Sequence, residues 1–201
     1  MRANSKISIK YVLSNIFTKP RTVIREIFKI NPNYLVFYLI LLSSIIWSIE
    51  SIVSIESIIP DYKLYKYPVY ITFLFIFIDS FIGAYYLLPY CLHKVSQYFT
   101  ENSTFSNTQT VVAWSQLGHI IGGVLYTLGT VCLGTKVGIL VLIAVPLMFL
   151  GFIYSVLGLG ICVAGLREIN EYSINKAVFV FVLGSVIVFL FHKALLSLIQ
   201  F

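Results

Sequence analysis

The chain has 201 residues, 59% of them hydrophobic and only 11% charged, with a net charge of +6. Soluble domains carry about 45–50% apolar and about 25% charged residues, so the composition excludes an ordinary soluble domain and puts the chain in a bilayer. Crossing about 30 Å of hydrocarbon takes roughly 20 apolar residues, which leaves room for several helices and short loops but no separate soluble domain.

From the N-terminus, apolar residues recur at Ile9, Val12, Leu13, Ile16 and Phe17, one face of a helix. After Lys19-Pro20 the face is renewed by Val23, Ile24, Ile27 and Phe28, with Arg21, Arg25, Glu26 and Lys29 opposite and Pro20 suited to a first helical turn. Residues 1–33 thus form a basic amphipathic segment expected to lie at a membrane surface, and residues 34–201 form the membrane domain. About 33 residues precede the first long apolar run, which differs from a cleavable signal peptide with its short basic start and apolar core of about 7–15 residues. No motif accompanies the basic segment that would make it a nucleic-acid arm.

Five runs are long enough to cross: residues 34–54, 69–92, 110–133, 137–164 and 177–198. Between the first two, "PDYKLYKYP" mixes prolines, lysines and tyrosines as expected of a loop among lipid headgroups, and "SQYFTENSTFSNTQ" is the expected loop before the third. A short turn around "GTK" joins the third and fourth runs, and "REINEYSINK" at residues 167–176 separates the fourth from the fifth. Seven of the fourteen Lys and Arg fall within the first 29 residues. With the N-terminal side inside, ten cations lie on the inner side and four outside, at Lys63, Lys66, Lys136 and Lys193, so the positive-inside rule predicts N-in and C-out. The expected fold class is all-α, a polytopic bundle of five transmembrane helices preceded by an amphipathic interfacial helix.

Ionisable residues within a span are costly and raise a functional hypothesis by default. Glu50 lies in the outer part of the first run, while Asp79 and His119 reach similar depth near the middle of the second and third. A carboxylate beside an imidazole can relay protons, so Asp79 and His119 form a candidate intramembrane pair; an interhelical hydrogen bond between them is the plainer alternative. No GxSxG, HExxH, paired-aspartate or Walker motif occurs, and His93, His119 and His192 are scattered. The sequence therefore reads as non-enzymatic, with no cofactor and no metal. Cys91, Cys132 and Cys162 form no CxxC pair and read as small core hydrophobes. Gly118 and Gly122 form a GxxxG for close helix packing, within the chain or between copies; Ser80 with Ala84 and Gly160 with Ala164 repeat the spacing. Pro89 and Pro146 are expected to kink their helices.

Three stretches carry a resemblance in order: "IFTKPRTVIREIFKINP" before the first span, "TVVAWSQLG" at the third, and "LREINEYSINKAV" before the last. Together they resemble the bacterial branch of the Yip-one domain family, membrane proteins related to Ypt/Rab-GTPase-interacting proteins, over about residues 14–200. The chain departs from the family at Gly118, where a proline is frequent, and lacks the Asp-Leu-Tyr-Gly-Pro motif of eukaryotic members, so Rab binding is not implied. The resemblance implies a five-helix protein of the bacterial inner membrane in a family without an established catalytic activity. On the matched residues, Trp114 is expected to be a belt residue at the inner interface, and Ser173 to cap the fifth helix. Pro20, Arg21, Arg25, Glu168, Glu171, Ser173 and Lys176 are the candidate inner-face interaction residues: Pro20, Arg21 and Arg25 meeting Glu168 and Glu171 would dock the amphipathic helix on the bundle, and the equal alternative is that these charges face water and lipid headgroups independently. Function then reads as a membrane-organising or scaffold protein whose partners are the bilayer and a membrane protein or second copy. The alternative is a small transporter or channel using Asp79 and His119.

Overall fold

The structure is a computed structural model that describes residues 8–31, 33, 35–58, 69–100, 104–135 and 137–199, with side chains of the first long helix described to residue 54 and of the last to 194. The headgroup loop expected at 60–68 lies outside the described residues. All described regular elements are helical: α1 Ile9–Asn15, α2 Pro20–Ile30, α3 Val36–Ile58, α4 Val69–Ile82, a π-helical turn Gly83–Leu87, α5 Leu88–Gln97, α6 Phe105–Gly134, α7 Gly138–Ile169 and α8 Ile174–Ile199. Five stretches are long and apolar enough to cross a membrane: Val36–Ser54, Val69–Gln97, Phe105–Gly134, Gly138–Ile169 and Ile174–Ala194. The contacts divide into two compact units, Met1–Phe37 with Gly83–Ser115 and Gly160–Phe201, and Tyr38–Ile82 with Gln116–Leu159.

Several helices run further than the apolar runs. The polar residues at 105–109, expected in a loop, form the first turn of α6, because Thr104 Oγ1 accepts from the Asn107 amide at 3.3 Å as an N-cap. Helix α7 continues through Arg167 and Glu168 and stops at a Schellman motif, with the Tyr172 amide bonding Arg167 O at 3.1 Å and Glu171 left-handed at φ 54°. Ser173 Oγ then accepts from the Lys176 amide at 3.4 Å and starts α8. The separator expected over 167–176 is thus reduced to a tight turn, because capping groups extend both helices into it.

In the first unit the apolar side of α2 is covered by protein. Val23, Ile24 and Ile27 are buried, as are Val12 of α1 and Ile16 just after it, whereas Leu13, assigned to the same face by spacing, is half exposed. Ile24 seats against Gly165 of α7, where a Cβ would come 2.9 Å from Ile24 Cδ1 and 2.6 Å from Val111 Cγ1 of α6. Trp114, expected in an interfacial belt, is instead 1% exposed among the buried Val111, Val112 and Ala113, because the first turns of α6 face protein on this side. Pro89 has no amide to give Tyr85 O, four residues earlier, and the helix widens into the π turn beside it. Gln109 Nε2 of α6 donates to that carbonyl at 2.8 Å, supplying the missing bond from a neighbouring helix. Leu92 of α5 fits against Gly184 of α8, where a Cβ would lie 2.6 Å from Leu92 Cδ2.

In the second unit α6 meets α7 backbone to backbone. A Cβ on Gly118 would lie 2.5 Å from Gly158 Cα, one on Gly122 would strike Ser155 Oγ and Gly151 O, and one on Gly129 would come 2.5 Å from Met148 Cγ. The GxxxG is therefore an intramolecular packing face. On α3, the buried Ser43, Ser44 and Ser48 return their hydroxyls to carbonyls of their own helix at 2.7–2.9 Å. No described residue of α4 is buried.

The glycines permit a direct comparison. Gly118→Ala should cost about 1–3 kcal/mol of unfolding free energy in bicelles, because the clash is with backbone that cannot rotate aside. Gly160→Ala, where nothing lies within 4 Å of the added Cβ, should be neutral in the same unfolding assay.

Candidate functional site

Two polar arrangements stand out, one in each unit. In the first unit, Pro20 opens α2 at its first turn, which places Arg21 and Arg25, four residues apart, on one side of the helix. Both guanidinium groups converge on Glu168 near the end of α7: Arg21 Nη2 lies 3.0 Å from Oε2 and Arg25 Nε lies 2.5 Å from Oε1. One carboxylate between two forks occupies both oxygens, a charge-assisted geometry with fixed direction. The Glu168 side chain is 12% exposed against 44% and 54% for the arginines, so the acid is the sheltered member and solvent screens the cations. Hydrogen bonding to Glu168 and its charge push the Arg25 guanidinium further above its ordinary range, and the pair stays ionised. With Ile24 seated under it, α2 is held to α7 by an apolar contact and an ion cluster at the same height.

Beside the cluster an open cavity of about 370 Å³ is lined by Arg25, Phe28, Lys29, Asn107, Glu168 and Ile169. Of the lining residues Arg25 and Lys29 are cationic and Glu168 alone is anionic, so the rim is net positive. The other inner-face candidates lie apart from it. Glu171 and Lys176 are exposed, and Glu171 sits at the left-handed turn position, a strained place for a residue with a Cβ. Ser173 serves as the N-cap of α8. Between Glu171 and Ser173, the buried Tyr172 donates from its hydroxyl to Ser96 O at 2.7 Å, closing the C-terminal end of α5. Burial pushes the Tyr172 phenol above its usual range, which keeps it a donor. Asn107 and Tyr172 were not singled out by the sequence, and Lys29 only as one cation of the basic helix side; Tyr172 was hidden because a lone tyrosine in a polar stretch carries no sign of the helix end it reaches.

In the second unit the acid beside His119 is Glu50, with Nε2 and Oε2 4.0 Å apart. Trp47, one turn before Glu50, lies over the imidazole with ring centroids 5.0 Å apart. Asp79 occupies an exposed position on α4. Sequence depth alone could not choose between the two acids, because depth says nothing of which way each helix is turned. Gly118 and Gly122, each one residue before a member of this face of α6, make the contact with α7 described above. Among the described residues, no group of three His, Cys, Asp or Glu could hold a metal ion, and Cys91, Cys132 and Cys162 are free thiols.

The docked basic segment, the "AWS" stretch at the start of α6 and the turn before α8 all fall within residues 14–196, which match the model of the Yip1 domain. The chain belongs to the Yip1 domain family. Neither the curated proteins nor the solved structures hold a match to it. In this Yip1-domain chain two of the three stretches that carried the resemblance meet physically, since Arg21 and Arg25 come from the first and Glu168 from the last.

Reversing charges tests the meeting. Arg25→Glu and Glu168→Arg should each raise amide exchange across α2 severalfold, Glu168→Arg more because it loses both arginines. The double reversal should recover part of the protection, and an unchanged exchange pattern in Glu168→Arg would show that the apolar contact alone holds the helix.

Proposed function

We propose that this Yip1-domain protein is a non-enzymatic integral membrane protein that organises or scaffolds through an inner-face surface. The observation that carries the reading is the fixing of α2 against α7 by Arg21, Arg25 and Glu168, which gives the basic rim around Lys29 and Asn107 a defined shape. A segment meant only to float on headgroups needs no such fixing, whereas a surface that recognises a partner gains from a preorganised shape. The protein lies in a bacterial inner membrane with its N-terminal basic segment cytoplasmic and its last span ending outside, a topology supported by the ten-to-four distribution of cations. Its partner is a membrane protein or a second copy, and the long apolar helices face lipid. The small-transporter alternative rests on intramembrane Asp79 and His119.

A photo-crosslinking side chain in place of Lys29 should give one discrete product in native membranes, and Glu168→Arg should abolish it. Recovery of monomer alone would overturn the scaffold reading. Asp79→Asn should leave that product unchanged, whereas a proton-coupled carrier built on Asp79 would lose pH-dependent flux. Single cysteines at Ser173 and Thr135 in a cysteine-free background should react with an impermeant thiol reagent from opposite sides, Ser173 from the cytoplasm.

A further inference from the structure

Within the second unit, Glu50 Oε2 and His119 Nε2 are each buried and without a hydrogen-bond partner, although they face each other at 4.0 Å. That distance is too long for a hydrogen bond and at the outer limit of an ion pair. A third buried and unpaired polar atom, Thr127 Oγ1, belongs to the same side of α6, since positions 119, 123 and 127 recur every four residues. Buried polar atoms are nearly always paired, so a carboxylate oxygen and an imidazole nitrogen that face each other unpaired call for an explanation.

The surroundings suit a charge that comes and goes. Gly123 lets the carboxylate approach the backbone of α6: a Cβ there would lie 2.9 Å from Glu50 Oε2 and 2.7 Å from Ile46 Cγ2. Trp47 offers a ring to the imidazole with centroids 5.0 Å apart, within reach of a cation–π contact when the imidazole carries a proton. From α3 the groups facing this point are Ile46, Trp47 and Glu50, and from α6 they are His119 and Gly123. The other carboxylate among the unit's described side chains, Asp79 on α4, is exposed. One residue round the helix α6 presents Gly118 and Gly122 to the Tyr154 backbone, Ser155 and Gly158 of α7, which bring no charge. An ionised Glu50 beside a neutral His119 leaves one uncompensated negative charge inside a span, which is strongly disfavoured. One added proton makes the pair neutral overall, as imidazolium with carboxylate or as imidazole with carboxylic acid.

We propose that Glu50 and His119 form a binding site for a single proton, held between carboxylate and imidazole within the membrane. The proton comes from a hydronium ion in water and ends on His119 Nε2 or Glu50 Oε2, with no bond between heavy atoms made or broken. Its arrival creates the hydrogen bond that the two atoms lack and draws them together. The proposal is independent of the scaffold reading, because it concerns α3 and α6 of the second unit and not the docked α2.

The test is ¹⁵N NMR of the histidine-labelled protein in lipid nanodiscs across pH. Glu50→Gln, nearly isosteric, should lower the proton affinity of His119 at least tenfold while leaving His93 and His192 unchanged. Gly123→Ala, which keeps both groups but crowds the carboxylate, should shift the same titration. His119 titrating within twofold of the wild type in Glu50→Gln would overturn the proposal. Should that variant not fold, the infrared bands of the Glu50 carboxyl group, as acid or as carboxylate, should move in His119→Gln, and bands unmoved by that change would equally overturn it.

Discussion

The approach of α6 to α7 at Gly118, Gly122 and Gly129 is the contact on which the second unit depends. Lipid tails are as apolar as leucine, so spans gain little from burying apolar surface against each other and associate through close packing and polar contacts. With no Cβ in the way, the backbones meet directly, and α6 loses its freedom to rotate. Once that face is committed to α7, the stripe one residue further round, at His119 and Gly123, is turned to Glu50 and Trp47 of α3. The position of the intramembrane histidine follows from the glycines rather than from any attraction of its own.

In the first unit the governing constraint is the satisfaction of backbone groups where helices bend or end. Pro89 strips the Tyr85 carbonyl of its donor, and Gln109 supplies one from α6. Tyr172 reaches the end of α5, and the turn carrying it is closed by a Schellman motif and the Ser173 cap. These bonds hold the last turn of α7 so that Glu168 stands at a defined place. Two arginines four residues apart on α2 can then share it, and Gly165 makes the hollow that receives Ile24 under the same helix.

Much of this was legible from residue patterns. Long apolar runs locate the five spans because a bilayer demands them, and Lys19-Pro20 divides α1 from α2 because proline begins a helix readily but does not continue one. Ser173 as a cap follows from residue type and position, whereas charge alone set Pro20, Arg21 and Arg25 against both Glu168 and Glu171 without choosing between docking and independent solvation; Arg21 and Arg25 meet Glu168, and Glu171 stays exposed. The belt placement of Trp114 fails for a physical reason: tryptophan suits an interface and a protein interior alike, and only the neighbours of α6 decide between them. Apolar spacing grouped Leu13 with Val12 for the same reason, since spacing describes a face and not what covers it. The loops expected around residues 105–109 and 167–169 were assigned by polarity, although a polar turn with a cap remains helical beyond the apolar run.

Composition and pattern by themselves determined that the chain is helical, that it crosses a bilayer five times and that its N-terminal segment is basic and amphipathic. These follow from the free energy of placing apolar surface and backbone in hydrocarbon, which each segment carries regardless of its neighbours. Only the tertiary structure decided that Glu50 and not Asp79 stands beside His119, that protein covers the apolar side of α2, and that Glu168 serves both Arg21 and Arg25. Each of these depends on the rotation of one helix about its axis relative to another, and that angle is set by contacts between residues far apart in the chain.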